Sequence, residues 1–163
     1  EVWIRNGVRV NPMFKHRKYS GNIFKQCLPL CIVSPSSVML RKSLLNKVGG
    51  FDESMPVCED YDLWLRIALH YPFKFLNEKL IIKRGGHKDQ LSRKYWGMDR
   101  WRVYALDKLL RCNDLNSEKR EWVKETLVEK STVLIQGFEK RGKSEQAAFY
   151  KNLLATYCSD AGR

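Results

Sequence analysis

The sequence predicts an α/β unit followed by an α-helical hairpin or bundle. Three observations carry that reading. Short apolar segments bounded by turn signals occupy the first half, beginning with Asn6-Gly7, a two-residue hairpin signal. A helical apolar stripe, Trp64, Ile67, Ala68 and Tyr71, lies among them. After Leu91 the pattern turns entirely to helical periodicity, which sets the expected division at 1–92 and 93–163.

The elements follow in order. Val2 to Arg5 and Val8 to Val10 read as the two strands of the hairpin. A basic loop, Lys15 to Tyr19, comes next, then a short helix within Ile23 to Leu30 and a loop from Cys31 to Ser34. Ser37 to Arg41 reads as a strand, and Lys42 to Val48 as a helical turn ended by Gly49. The helix Glu59 to His70 stops before Pro72, because the residue preceding a proline leaves the helical region. Strands are expected at Phe73 to Leu76 and Leu80 to Arg84, with Gly85-Gly86-His87 as a flexible turn. Arg93 to Arg111 reads as the first helix of the second half. Glu118 to Glu139 follows, with Ser117 as its N-cap, and Glu145 to Tyr157 is the last, with Ser144 as its N-cap.

Composition narrows the function. The 163 residues suffice for a folded core, and 44% hydrophobic content argues against disorder. No apolar run approaches the roughly 20 residues that span a bilayer. The net charge of +12 suggests an anionic partner: a nucleotide diphosphate, an anionic lipid surface, an acidic glycan or nucleic acid. Five cysteines without zinc spacing read as reduced, mostly buried thiols of a reducing cytosol; Cys58, beside the acidic pair, could be exposed, but no His near it in sequence supports a nucleophilic role.

Two stretches carry chemistry. Glu59 and Asp60 open the helix that follows Gly49-Gly50-Phe51-Asp52-Glu53. First-turn carboxylates face unpaired backbone N–H groups and the positive end of the helix dipole, which favour the charged form and suit a general base. The same placement also serves simply to stabilise a helix start. The second stretch is Gly85-Gly86-His87-Lys88-Asp89-Gln90-Leu91-Ser92, where a neutral imidazole could bind a metal or cap the turn.

Gly-Gly-Phe-Asp-Glu followed by Glu-Asp-Tyr-Asp-Leu-Trp-Leu-Arg closely resembles the acceptor-side motif of family 2 glycosyltransferases, which have the glycosyltransferase-A fold. The resemblance covers about Glu1 to Trp96. It implies a partial glycosyltransferase-A fold with an incomplete mixed sheet. It also implies inverting transfer of a sugar from a nucleotide-diphospho donor to a hydroxyl acceptor on a glycan, a lipid-linked molecule or a protein. Asp60 is then the catalytic base, with Glu59 supporting it. Gly49 and Gly50 would let the acceptor approach, and Trp64 and Arg93 would contact substrate. His87, in a His-x-x-Gln-Leu-Ser context, would be a ligand of Mn²⁺ or Mg²⁺.

Gln90-Leu91-Ser92-Arg93-Lys94 only partly matches the Gln-x-x-Arg-Trp motif of processive members, since Lys94 stands in place of Trp. Apart from Asp60-Tyr61-Asp62 within the acidic helix start itself, the chain contains no Asp-x-Asp that could serve the donor side. It is therefore expected to be the acceptor side of a longer enzyme, inactive without an N-terminal donor half, prone to homodimerise, and cytoplasmic, with a peripheral place at the inner face of the membrane open to it. The competing readings are a basic nucleic-acid-binding module, for which no signature appears, and a non-catalytic interaction domain.

Overall fold

A computed structural model describes residues 1–86 and 94–158. The chain forms two compact units, Glu1–Met98 and Asp99–Arg163.

The first unit is mixed α/β. Strands β1 (Val2–Arg5) and β2 (Val8–Val10) make the hairpin, pairing antiparallel from Trp3↔Val10 to Arg5↔Val8. Asn6 and Gly7 both adopt positive φ at the turn, as a tight two-residue connection requires. β3 (Ile82–Gly85) lies parallel to β1 on its other side, so the sheet order is β2-β1-β3. A parallel pair needs a long crossover, and here it holds α1 (Phe24–Cys27), α2 (Lys42–Val48) and α3 (Glu59–His70). Short 3₁₀ turns occur at Phe14–His16 and Pro35–Ser37.

α3 is the centre of this unit. The sequence suggests one apolar stripe, yet nearly the whole helix body is buried, from Tyr61 to Leu65 and from Ile67 to Leu69. Leu63, Trp64 and Ile67 pack with Leu44, Leu45 and Val48 of α2 and with Val33, Val38 and Leu40. On the α1 side, the buried Tyr61 hydroxyl donates to the Leu28 carbonyl.

Two expected strands are not formed. Pro35–Ser37 is a 3₁₀ turn and the segment to Arg41 is extended without a ladder partner. Val38 and Leu40 contribute side chains to the core instead of backbone to the sheet. Phe73 makes a single antiparallel bridge with Gly21, and residues 74–76 add nothing to it. Val38, Leu40 and Phe73 pack on the α3 cluster without a neighbouring strand, while Phe75 and Leu76 stay exposed.

The second unit is helical: α4 (Met98–Leu110), α5 (Ser117–Glu139) and α6 (Ser144–Cys158). The cap of α5 is Asn116, one residue before Ser117. Its side chain accepts the Lys119 N–H at 2.9 Å, satisfying a first-turn donor. α5 ends in a left-handed Gly142, where Lys143 N–H returns to the Phe138 carbonyl at 2.9 Å. α6 then folds back, and Val103, Leu134, Phe138, Ala147 and Tyr150 form the core, with Phe138 and Tyr150 stacked at 5.8 Å.

Candidate functional site

The site is built on the start of α3 and the loop leading into it. Gly49 closes α2 at φ +80, a conformation that strains any L side chain. Asp52 then folds the loop on itself. Its Oδ1 accepts the Ser54 N–H at 3.1 Å and the Ser54 hydroxyl at 2.6 Å, and its carbonyl accepts the Met55 N–H. Met55, Val57 and Cys58 are buried beneath this turn.

Cys58 sets the direction of the helix. It is the N-cap at φ 62, a left-handed conformation uncommon for a residue with a side chain. Cys58 is 5% exposed and its thiol donates to the Met98 carbonyl at 3.7 Å, so the exposure open to it beside the acidic pair is not realised. The immediate consequence is the placing of Glu59 and Asp60, both half-buried, at the rim of the helix. The Tyr61 N–H donates to Asp60 Oδ1 at 2.7 Å.

Cys31 lies in the field of Asp60, and Cys27 and Cys58 in turn act on Cys31. Burial, then the charge and hydrogen bonding of Asp60, then Cys27 and Cys58, push the Cys31 thiol well above its ordinary range. Burial pushes Cys27 up to about 12, so neither thiol is a ready nucleophile.

One arrangement of the acidic helix was not anticipated. Asp62 is 2% exposed and takes Arg66 Nε at 3.0 Å and Nη2 at 2.9 Å. The same guanidinium donates to the Val48 carbonyl and, at 2.7 Å, to the Gly50 carbonyl. Arg66 thus ties the glycine loop to the helix that carries Asp60. The signal was present as an Asp/Arg pair at i, i+4, but only the fold reveals where the fork's other donors point.

The other expected site residues separate. A Cβ on Gly50 would meet open space, whereas one on Gly49 would touch Arg66 Nη1 at 3.5 Å. Trp64 is 2% exposed, with the Phe51 ring against its indole edge-on at 6.5 Å. The structure places it in the core cluster with Leu63 and Ile67. His87 and Arg93 lie outside the described residues. Among the described residues, no group of three or more His, Cys, Asp or Glu side chains could hold a metal ion, and no helix is long and apolar enough to cross a membrane.

A groove of about 1090 Å³ opens elsewhere in the first unit, lined by Phe14, Lys18, Met39, Tyr71, Phe75 and Leu80 among others.

Comparison with known proteins bears on residues in this same unit. The family described as glycosyltransferase like family 2 matches residues 18–106, more than half of the chain. An uncharacterised glycosyltransferase of Rickettsia conorii is 35% identical over 69 residues, and one of Rickettsia felis 33% identical over 69 residues. Each match covers 41% of this chain and 11% of the relative, so the chain spans a small part of those proteins' length. No solved structure matches the chain.

Proposed function

The chain belongs to the glycosyltransferase-like family 2, and from that membership and the geometry around Asp60 we propose that it supplies the acceptor side and catalytic base of an inverting sugar transfer. The donor is a nucleotide-diphospho-sugar and the acceptor a hydroxyl. The observation that carries this reading is the framing of Asp60. A half-buried carboxylate stands on the first turn of a buried helix, directed by the left-handed Cys58 and adjoining a loop held by Arg66.

Asp60 accepts the proton of the acceptor hydroxyl as that oxygen forms its bond to the anomeric carbon. The bond from that carbon to the diphosphate breaks on the opposite face. Glu59 adds negative charge at the same rim and favours a hydroxyl oriented with its proton toward Asp60. Gly49 and Gly50 shape the approach, with Gly50 open on its Cα side. Positive charge for the departing diphosphate is assigned to Arg93.

Mn²⁺ or Mg²⁺ would neutralise the leaving diphosphate. The described residues do not form an ion-binding set, so His87 would have to share the ion with groups beyond them. His87→Ala is expected to raise the metal concentration needed for activity, read from a Mn²⁺ titration of turnover. An unchanged titration assigns His87 to structure.

The base assignment is tested with Asp60→Asn in an enzyme containing this chain, assayed against a panel of nucleotide sugars. Turnover is expected to fall by about two to four orders of magnitude, the scale of a lost general base, with donor binding little changed. Near-normal turnover in a folded variant overturns it.

A further inference from the structure

We propose that the groove of the first unit is a docking face for an anionic lipid surface. Its exposed apolar side chains enter the bilayer interface, and the cations around them meet the lipid headgroups.

Apolar side chains of the groove lining stand out into solvent. Met39 is 97% exposed, Phe14 80%, Leu80 67% and Leu76 54%. They come from the 3₁₀ turn at Phe14–His16 and from irregular segments around 39 and 74–81, distant in sequence and brought to one groove by the fold. Apolar surface gathered in this way marks a place of interaction.

The same lining carries Arg17, Arg41, Lys47, Lys74 and Lys79, all exposed. The Arg17 guanidinium lies 6.0 Å from the Phe14 ring centre and 5.5 Å from that of Tyr19, so charge and apolar surface are presented together. The acids of the lining are Glu1 and Glu78. Glu1 is already engaged by Trp3, Ser37 and Lys18. The face is therefore cationic as well as apolar.

Charge complementarity selects the occupant. An anionic bilayer answers both features at once, because its headgroups neutralise the cations and its interface accepts apolar side chains just beneath them. A second copy of this chain would cover the apolar side chains but would set cations against cations. Nucleic acid would meet the cations and leave Met39, Leu76 and Leu80 in water, since bases stack on aromatic faces. A folded acidic protein needs pockets shaped to these protrusions, whereas a fluid bilayer needs none. The groove meets α3 at Ile67 and reaches Tyr71 just beyond its end. Asp60 lies in the first turn of that helix, about 15 Å from Tyr71 along its axis, so lipid contact leaves the Asp60 rim open.

The chain is floated on a density gradient with vesicles of phosphatidylcholine, alone or with phosphatidylglycerol added. It is expected to bind the anionic vesicles at least about 10-fold more tightly, with the difference shrinking as salt is raised. Lys74→Gln with Lys79→Gln should weaken that binding about 10–30-fold, or about fivefold for each cation lost at the surface. Phe14→Ser with Met39→Ser should remove the part of the binding that survives high salt. These side chains are all exposed, so neither variant disturbs the core. Lys140→Gln with Lys143→Gln takes the same charge from an exposed turn of the helical unit and should change binding less than about twofold.

Equal losses in the two lysine variants would reduce the effect to net charge and overturn the face. So would equal affinity for both kinds of vesicle, or binding to neither. Dimers that form through Phe14 and Met39 and leave vesicles unbound would give the groove to a second copy instead. A single-stranded oligonucleotide held through Lys74 and Lys79, without vesicle binding, would give it to nucleic acid.

Discussion

At the scale of single residues, Arg66 shows how much one side chain can organise. It pairs with the buried Asp62, donates to the last carbonyl of α2 at Val48 and holds Gly50. Removing it takes the guanidinium away from the buried Asp62, and breaking a buried ion pair from one side costs more than the intact pair contributes. Arg66→Ala should therefore lose about 2–4 kcal/mol in urea unfolding. Arg66→Lys should lose less, because it keeps the charge and gives up the planar fork. Equal stability of Arg66→Ala and the wild type would show that water replaces the guanidinium. The motif Asp-x-x-x-Arg was legible as a helix-stabilising pair. Its reach to the glycine loop was not, because Val48 and Gly50 are 16 to 18 positions away in sequence and meet Arg66 only in the fold.

At the scale of elements, the hairpin, α2 and α3 were legible to the residue or nearly so, because each is bounded by a local signal: Asn6-Gly7, Gly49 and Pro72. The strands at 37–41 and 73–76 were not, because strand formation requires a partner that local sequence does not name. What ties the start of β1 to the 34–37 turn is Glu1. Its carboxylate accepts Trp3 Nε1 at 2.8 Å and the Ser37 hydroxyl at 2.9 Å, with Lys18 Nζ at 3.9 Å. Burial alone would raise its pKa, but the hydrogen bonds from Trp3, Ser34 and Ser37 and the Lys18 charge outweigh it and hold the group down at about 2. A carboxyl depressed in the folded state stabilises above its unfolded pKa, roughly 4.3. That contribution is lost as the pH falls from there to about 2. Glu1→Gln should therefore be less stable than the wild type at pH 7, and the gap should close between about pH 4 and pH 2. Denaturant midpoints at three pH values across this window check it, and a gap independent of pH would remove Glu1 from the account.

At the scale of the molecule, the chain is an α/β unit and a helical unit, each with its own core. The first unit exposes much apolar surface around its groove, with Met39 97% and Phe14 80% exposed. Contiguous apolar surface of this kind is seldom left open to water. This chain on its own is expected to self-associate with rising concentration, and Phe14→Glu with Met39→Glu to reduce that association. Sedimentation velocity over a concentration series reads both; a monodisperse monomer up to the solubility limit would show that this apolar surface does not pair copies.

The family, the helix bearing Glu59 and Asp60, the hairpin and the switch to helices in the second half are all written in local sequence signals. These depend on local signals: periodicity within one helix, turn residues adjacent in the chain, and a contiguous motif. Only the tertiary structure decided that Trp64 belongs to the core, that Cys58 is buried in a left-handed conformation, and that β3 joins β1 in parallel. It alone brought Arg66 to Gly50. Burial and pairing are properties of what lies across space, and a pattern of 3.6 or 2 residues states which side chains share a face without stating what covers it.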